Sequence, residues 1–187
     1  MTIPVFLKDA KELLTEQGFT TGNTWYHGTS SALIEAIKKQ GLIRSGDTAL
    51  NEAAKQTMAT IGDDNYVETT EPVFLTQSME LAYYWAQQTV KKRRVHIEGD
   101  EQPVVFKIEL TNELNAQVKP DVGAASLLLV QEGENYMAFI AGIYQDNGIA
   151  VPEINLMKAD RMDYLNKLGM AYFDADIEGS NLTLITA

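Results

Sequence analysis

The chain has 187 residues, a formal net charge of −11 at pH 7, 45% hydrophobic residues and 22% charged residues. This length and composition fit one folded domain with a core of ordinary size. Cysteine is absent from the sequence, which excludes disulfides and thiolate metal sites, and the negative charge disfavours binding to the phosphate backbone of a nucleic acid.

No stretch approaches the roughly 20 apolar residues that cross a membrane. Residues 1–14 also lack a basic region followed by a long apolar one. We therefore expect no transmembrane segment, and a location in the cytoplasm or delivery without a Sec-type signal. No repeat or linker divides the chain, so we expect one domain over 1–187, with residues 1–20 as an N-terminal helical extension.

The first half of the sequence predicts short helices and strands in alternation. Leu33, Ile34 and Ile37 share one face of a helix, and Gly41 is a typical helix stop. In chain order, we expect a helix over 4–17 ending near Gly18, a strand over 23–27, a helix capped by Ser30 or Ser31, a helix over 47–60 and a loop over 61–71.

The second half contains the clearest strand, because apolar and polar residues alternate over 102–110. Many short strands with interspersed helices, without regular strand–helix alternation, indicate an α+β fold. The expected elements are a strand over 72–76, a helix from Met79 to Lys92 capped by Ser78, strands over 102–110, 126–131, 136–144 and 149–156, a helix with Met162, Leu165 and Leu168 on one face closed by Gly169, and two strands after it.

The basic run from Lys91 to Arg94 falls where the helix that begins at Met79 should end. We interpret it as favourable charge at the negative end of the helix dipole. His96 stands among charged residues near a turn and is expected to be a surface residue.

His27 has a more informative setting, in the stretch WYHGTS at the end of a predicted strand. Gly28 carries no side chain, so a planar amide could reach its backbone N–H and C=O. Thr29 adds a hydroxyl, and the next helix begins with unpaired N–H groups. The stretch predicts a polar ligand corner, or else a histidine hydrogen-bonded in a turn before a helix cap.

The stretch WYHGTS, followed by a helix and then by PVFLTQSMELAYYWA, resembles the ADP-ribosyltransferase superfamily in its diphtheria-toxin-like and poly(ADP-ribose)-polymerase-like branch. The resemblance covers roughly residues 23–156 and implies a split pair of small, mostly antiparallel β-sheets with flanking helices. It implies NAD+ as the substrate and no metal. It further implies that His27 bonds the ribose, Gly28 holds the nicotinamide carboxamide and Thr29 supports it.

The same resemblance assigns aromatic residues to the nicotinamide ring. Phe74 stands where the family usually has a tyrosine beneath the ring, and Tyr84, or its neighbour Tyr83, stands where a second aromatic residue covers the other face. A flat cationic pyridinium suits aromatic faces. Phenylalanine at 74 keeps the stacking face but lacks the hydroxyl.

The family's glutamate, which stabilises the ribose as the glycosidic bond lengthens, is assigned to Glu153 in GIAVPEINL. In an extended segment, Glu153 faces the side opposite Pro152 and Ile154. The alternatives are Glu132 and Glu134 in VQEGENY, where the intervening glycine favours a turn.

The resemblance implies a mono-ADP-ribosyltransferase that cleaves the nicotinamide–ribose bond of NAD+ and transfers ADP-ribose to a protein or small-molecule acceptor. One alternative is a non-catalytic module that binds NAD+, ADP-ribose or a protein. Another is an RNA 2'-phosphotransferase-like enzyme, which the net charge disfavours. We expect residues 43–71 to be either a loop that covers NAD+ or an ordinary surface loop.

Overall fold

The computed structural model of this chain describes residues 2–60, 70–155 and 158–187. The fold is α+β, as the sequence predicts, with small antiparallel sheets and helices. The strands are β1 (Leu14–Thr15), β2 (Gly18–Phe19), β3 (Thr24–Ser30), β4 (Val73–Leu75), β5 (Pro103–Glu109), β6 (Lys119–Pro120), β7 (Ala171–Phe173) and β8 (Leu182–Leu184).

The α-helices are α1 (Ala10–Leu13), α2 (Ile34–Gln40), α3 (Thr48–Thr60), α4 (Met79–His96), α5 (Asn112–Asn115), α6 (Ala124–Leu128), α7 (Gln131–Asp146) and α8 (Arg161–Asn166). Short 3-10 helices cover Val5–Leu7, Ser31–Leu33 and Gly179–Asn181. Within the described ranges, no helix is long and apolar enough to cross a membrane.

Two three-stranded antiparallel sheets form the centre of the molecule, with strand orders β3–β5–β8 and β4–β7–β6. They meet at one bridge, where Tyr26 of β3 and Thr76, directly after β4, exchange backbone hydrogen bonds of 2.8 and 3.0 Å. Across the described residues, the pairing of β3 with β4 does not continue beyond this bridge. The two sheets are therefore split along one edge of β3.

Helix α4 covers one face of β3 at very short range. A Cβ atom at Gly28 would lie 1.7 Å from the carbonyl oxygen of Ala82. The start of α4 is fixed by Ser78, whose Oγ accepts from the N–H of Glu80 at 3.1 Å. The carboxylate of Asp9 accepts from the Ser78 hydroxyl at 2.5 Å and from the N–H of Met79 at 2.8 Å, so the N-terminal segment is joined to the same helix end.

Two apolar clusters support this arrangement. One joins α4, α7 and α8, with Leu81, Tyr136 and Leu168 fully buried. The other lies between the two sheets and α2, around Trp25 and Ile108. Because the second cluster contains residues of both sheets, it holds them together where their strands do not pair.

Several predicted elements agree with the structure. Helix α4 begins after Ser78 as expected and continues four residues beyond Lys92. The strand over 102–110 is β5, the helix over 47–60 is α3, and Gly41 ends α2 with a φ of 81°. The predicted loop over 61–71 lies, for residues 61–69, outside the described part of the chain, and the single domain over 1–187 stays a prediction.

The strands predicted over 126–131 and 136–144 are wrong, because residues 126–128 belong to α6 and residues 131 and 136–144 belong to α7. Tyr136, Ile140, Ile143 and Tyr144 are buried at helical spacing. Short apolar runs fit both periods, and packing against α4 decides in favour of the helix. Residues 149–155 form no strand either.

The helix predicted over 4–17 is also wrong as one element. It is divided into a 3-10 turn, the single turn α1, and the hairpin β1–β2. Gly18 adopts a φ of 111°, which allows the tight reversal. The two strands expected near the C-terminus exist as β7 and β8, but they belong to different sheets.

Candidate functional site

A cleft of about 310 Å³ opens where β3 and β4 separate. Its floor is formed by apolar residues of the cluster between the sheets, including Ile37, Leu42 and Val73. Its walls carry polar groups from β3, from the segment that leads into α3, from the start of β4 and from the second half of α4. Besides the backbone of Gly28, the polar and aromatic residues that line the cleft are His27, Thr29, Gln40, Ser45, Asp47, Asn51, Glu71, Phe74, Thr89, Lys92 and His96.

The backbone of Gly28 presents its polar groups to this cleft. Backbone groups alternate in direction along a strand. Because Tyr26 directs its N–H and C=O to Thr76, Gly28, two residues later, directs its own to the same side. Val105, which lies opposite Gly28 in register, directs its C=O the other way, to the N–H of Ile185 at 2.9 Å. Gly28 thus offers one donor and one acceptor at the split edge.

His27 spans the gap between the separated strands. Its Nδ1 lies 2.8 Å from the carbonyl oxygen of Phe74, and since a carbonyl only accepts, Nδ1 carries the proton. Nε2 is then the ring nitrogen left for a ligand. Burial lowers the pKa of His27 below its ordinary value, an effect that the bond to Phe74 opposes. The imidazole is therefore neutral at pH 7, with Nε2 as an acceptor.

Thr29 and Phe74 complete this end of the cleft. Thr29 is buried, whereas the side chain of Phe74 is 44% exposed although it belongs to a strand. Val73 and Leu75 on either side of Phe74 are buried. An exposed ring between two core residues is available to stack on a flat ligand.

The structure does not bring the other predicted aromatic residues to this cleft. Tyr84 is buried and stacks on Phe139, with ring centroids 4.7 Å apart and planes at 17°. Tyr83 is half-buried beside Leu7 and Val105. Neither tyrosine lines the cleft.

Two of the predicted glutamates, Glu153 and Glu134, are also placed elsewhere. Glu153 is exposed in an irregular segment and does not line the cleft. Glu134 is exposed on α7, so the expected turn in VQEGENY is wrong. The side chain of Glu132 lies outside the described part of the chain.

Two carboxylates that the sequence did not single out line the cleft instead. Asp47 pairs with the guanidinium of Arg93. Glu71 is exposed, and its backbone is fixed by Ser45, which donates its N–H to the Glu71 carbonyl at 3.1 Å and accepts the Glu71 N–H on Oγ at 2.6 Å. Ser45 has a φ of 53°, a left-handed conformation that is costly for a residue with a side chain. Strained backbone at such a point is typical of functional sites.

Arg93 belongs to a buried ionic network behind the α4 wall. Its Nε donates to Glu101 at 2.7 Å, and the Ser30 hydroxyl donates to the same carboxylate at 2.5 Å. The hydrogen bond from Arg93 holds the pKa of Glu101 below its ordinary value, with Ser30 adding to the effect. Asp47 also accepts the N–H of Leu50 at 3.1 Å in the first turn of α3. The network therefore connects β3, α4 and α3.

The interpretation of Lys91–Arg94 as helix-end charge overlooked this network. Ala82, Ala86, Val90 and Arg93 follow one another at spacings of four, four and three, so they share one face of α4. All four are buried. That spacing is the signal by which the sequence could have identified Arg93 as an inward-facing cation.

The second half of α4 gives the cleft a basic wall. Lys92 and His96 have exposed side chains, and Thr89 is half-buried. His96 is at the surface as predicted, but it also borders the cleft. Across the described ranges, no group of three or more histidine or carboxylate side chains could hold a metal ion.

Comparisons of this chain with protein-family models, with curated proteins and with solved structures found no match. The geometry and chemistry of the cleft are therefore the basis on which a function can be proposed.

Proposed function

We propose that the cleft binds NAD+ and that the protein is a mono-ADP-ribosyltransferase with the split pair of sheets of that superfamily. The observation that carries the proposal is the backbone edge of Gly28, which lies open beside an oriented histidine and an exposed aromatic ring. This combination of groups is complementary to a primary carboxamide on a flat ring.

The nicotinamide end fits the described groups one by one. The amide NH₂ donates to the Gly28 carbonyl, and the amide oxygen accepts from the Gly28 N–H. The cationic pyridinium stacks on Phe74. Nε2 of neutral His27 accepts a hydrogen bond from a hydroxyl of the adjacent ribose, because Nδ1 already donates to the Phe74 carbonyl.

Cleavage of the nicotinamide–ribose bond leaves its electron pair on the ring nitrogen and positive charge on the ribose. A carboxylate that faces this charge lowers the barrier. Glu153 lies outside the cleft, and Asp47 is neutralised by Arg93. Glu71, three residues before Phe74 and held by Ser45, is the carboxylate we assign to this task. An acceptor nucleophile then attacks C1 of the ribose and loses its proton to solvent.

Nicotinamide release from NAD+ tests the proposal. We expect release by the wild type, its loss in His27→Ala and a fall of about 100-fold or more in Glu71→Gln, with no change in Glu16→Gln, an exposed carboxylate away from the cleft. Loss in Glu153→Gln but not in Glu71→Gln would return the role to Glu153. No binding of NAD+ by the wild type would refute the proposal.

The position of Glu153 and the phenylalanine at 74 favour a second candidate, a module that binds NAD+ or ADP-ribose without turnover. The same cleft groups would hold the ligand, because none of the contacts assigned to His27, Gly28 and Phe74 requires catalysis. Calorimetric binding of NAD+ by the wild type without nicotinamide release would establish this candidate instead of the transferase.

A further inference from the structure

We propose that the α4 wall of the cleft, formed by Thr89, Lys92 and His96, is the subsite that binds the diphosphate of the ligand. This assignment rests on the proposed binding of NAD+ and adds the position of its anionic part. It also assigns Lys92, in the basic run at the end of α4, a function in binding besides its favourable interaction with the helix dipole.

The positions of the three residues along α4 support the subsite. They are spaced by three and four residues, so they share one side of the helix, and all three line the cleft. Gly28 contacts the same helix at Ala82 and Ala86. With a rise of 1.5 Å per residue, Lys92 lies about 9 Å and His96 about 15 Å beyond Ala86 along the axis. In the dinucleotide, one ribose separates the nicotinamide from the diphosphate, so the anion belongs farther along the cleft than Gly28.

The charges in the cleft have the polarity that such a ligand requires. Glu71 lines the same cleft as Phe74, and we assign its carboxylate to the end that holds the cationic ring. Lys92 and His96 supply the cationic and hydrogen-bond-donating groups on the α4 wall, and Thr89 adds a hydroxyl. Among the described residues, Lys92 shows no ion pair, unlike Arg93 one residue later. A lysine ammonium binds phosphate well, as a point charge with three donors.

The local field also matters, because the chain as a whole carries a charge of −11 and repels anions. Lys91, Lys92 and Arg94 are all exposed at the end of α4. They oppose the negative end of the helix dipole there, which otherwise disfavours phosphate. Lys91 does not line this cleft. It therefore has the same electrostatic environment at the end of α4 as Lys92, without the proposed contact to the ligand.

This difference supplies a matched control. We would measure, by calorimetry at low and at physiological salt, the binding of nicotinamide and of ADP-ribose to the wild type, Lys92→Glu and Lys91→Glu. Both variants reverse one exposed charge on adjacent residues, so their effects on helix stability are similar. We expect Lys92→Glu to weaken ADP-ribose binding about tenfold or more, and to leave nicotinamide binding unchanged.

The dissociation constants of Lys91→Glu for both ligands should lie within about twofold of the wild-type values, apart from a salt-sensitive effect of the net charge. Equal weakening of ADP-ribose binding in the two variants would overturn the subsite and leave only a long-range field. If thermal denaturation shows that Lys92→Glu does not fold, His96→Gln is the second test. We expect it to bind ADP-ribose more weakly and nicotinamide as the wild type does. If the wild type binds neither nicotinamide nor ADP-ribose, the proposed function fails. If it binds both and the variants do not differ, the subsite alone fails.

Discussion

Substitution of Gly28 by alanine is the sharpest test of the contact between β3 and α4. The added Cβ would lie 1.7 Å from the carbonyl oxygen of Ala82 and 2.8 Å from the backbone nitrogen of Ala86. Ordinary contact between heavy atoms needs about 3.5 Å. Since both neighbours are backbone atoms of a helix, no side-chain rotation relieves the clash, and α4 must move away from β3 by roughly 1.5–2 Å.

That movement separates packed surfaces. Leu81, Ala82 and Ala86 are fully buried, so a shift of α4 opens gaps on both of its sides. Overpacking of this kind costs about 1–3 kcal/mol. The lower entropy of the unfolded alanine variant offsets about 0.4–1 kcal/mol. We expect Gly28→Ala to lower the free energy of unfolding by about 2 kcal/mol, near the upper part of this range because the clash is with backbone.

Urea unfolding followed by circular dichroism measures the effect. Gly22→Ala is the control, because a Cβ there meets no atom within 4 Å, and its free energy of unfolding should equal or slightly exceed that of the wild type. A Gly28→Ala variant within about 0.5 kcal/mol of the wild type would refute the close packing of α4 on β3. In that case Gly28 would matter only for the ligand.

Three further predictions concern the groups around the cleft. Arg93→Met removes the guanidinium that pairs with Glu101 and Asp47 and should cost about 3–5 kcal/mol of unfolding free energy, with Lys91→Met, which removes an exposed cation bonded to Gln88 on the same helix, as the control. In the wild type, Arg93 lowers the pKa of Glu101 below its ordinary 4.5, so this contribution is present above pH 4.5 and is lost as the pH falls through the folded pKa. Arg93→Met removes the largest of the contributions that lower this pKa, so the loss of stability as the pH falls should be smaller in the variant than in the wild type. The same pH dependence of the free energy of urea unfolding in both proteins would contradict the network. The pKa of His27 should lie below 6.5 because burial lowers it. An NMR titration of the His96→Gln variant, whose only histidine is His27, measures this pKa, and a pKa of 6.5 or above would contradict the prediction. Phe74→Ala should change the free energy of unfolding by less than about 1 kcal/mol, since the ring is 44% exposed, yet weaken nicotinamide binding about tenfold; unchanged binding by calorimetry would remove Phe74 from the site.

Local sequence signals predicted several elements that the structure contains. The alternation over 102–110 predicted β5, Ser78 predicted the start of α4, and Gly41 predicted the end of α2. Each of these signals acts within a few residues, because capping and strand alternation are properties of the local chain. The runs over 126–131 and 136–144 were misassigned, since their period becomes clear only when the buried face is known.

The residues of the candidate site also divide into those with a local sequence signal and those without one. His27, Gly28, Thr29 and Phe74 line one cleft, and their order in the chain had pointed to them. Glu71 and Asp47 had no distinguishing sequence signal, because exposed charged residues are common in every part of a folded chain. Lys92 was noticed only as a member of the basic run at the end of α4. Their presence in the cleft depends on how α3 and α4 approach β3.

The sequence by itself determined the α+β class, the start of α4, the end of α2 and the group of residues that begins at His27. Only the tertiary structure decided that β3 and β4 separate after one bridge, that Arg93 is buried between two carboxylates, and that Glu153 lies away from the cleft. The reason is physical: caps and periodicity arise from neighbours in sequence, whereas burial, ion pairing and the opening of a cleft arise from contacts between residues far apart in the chain.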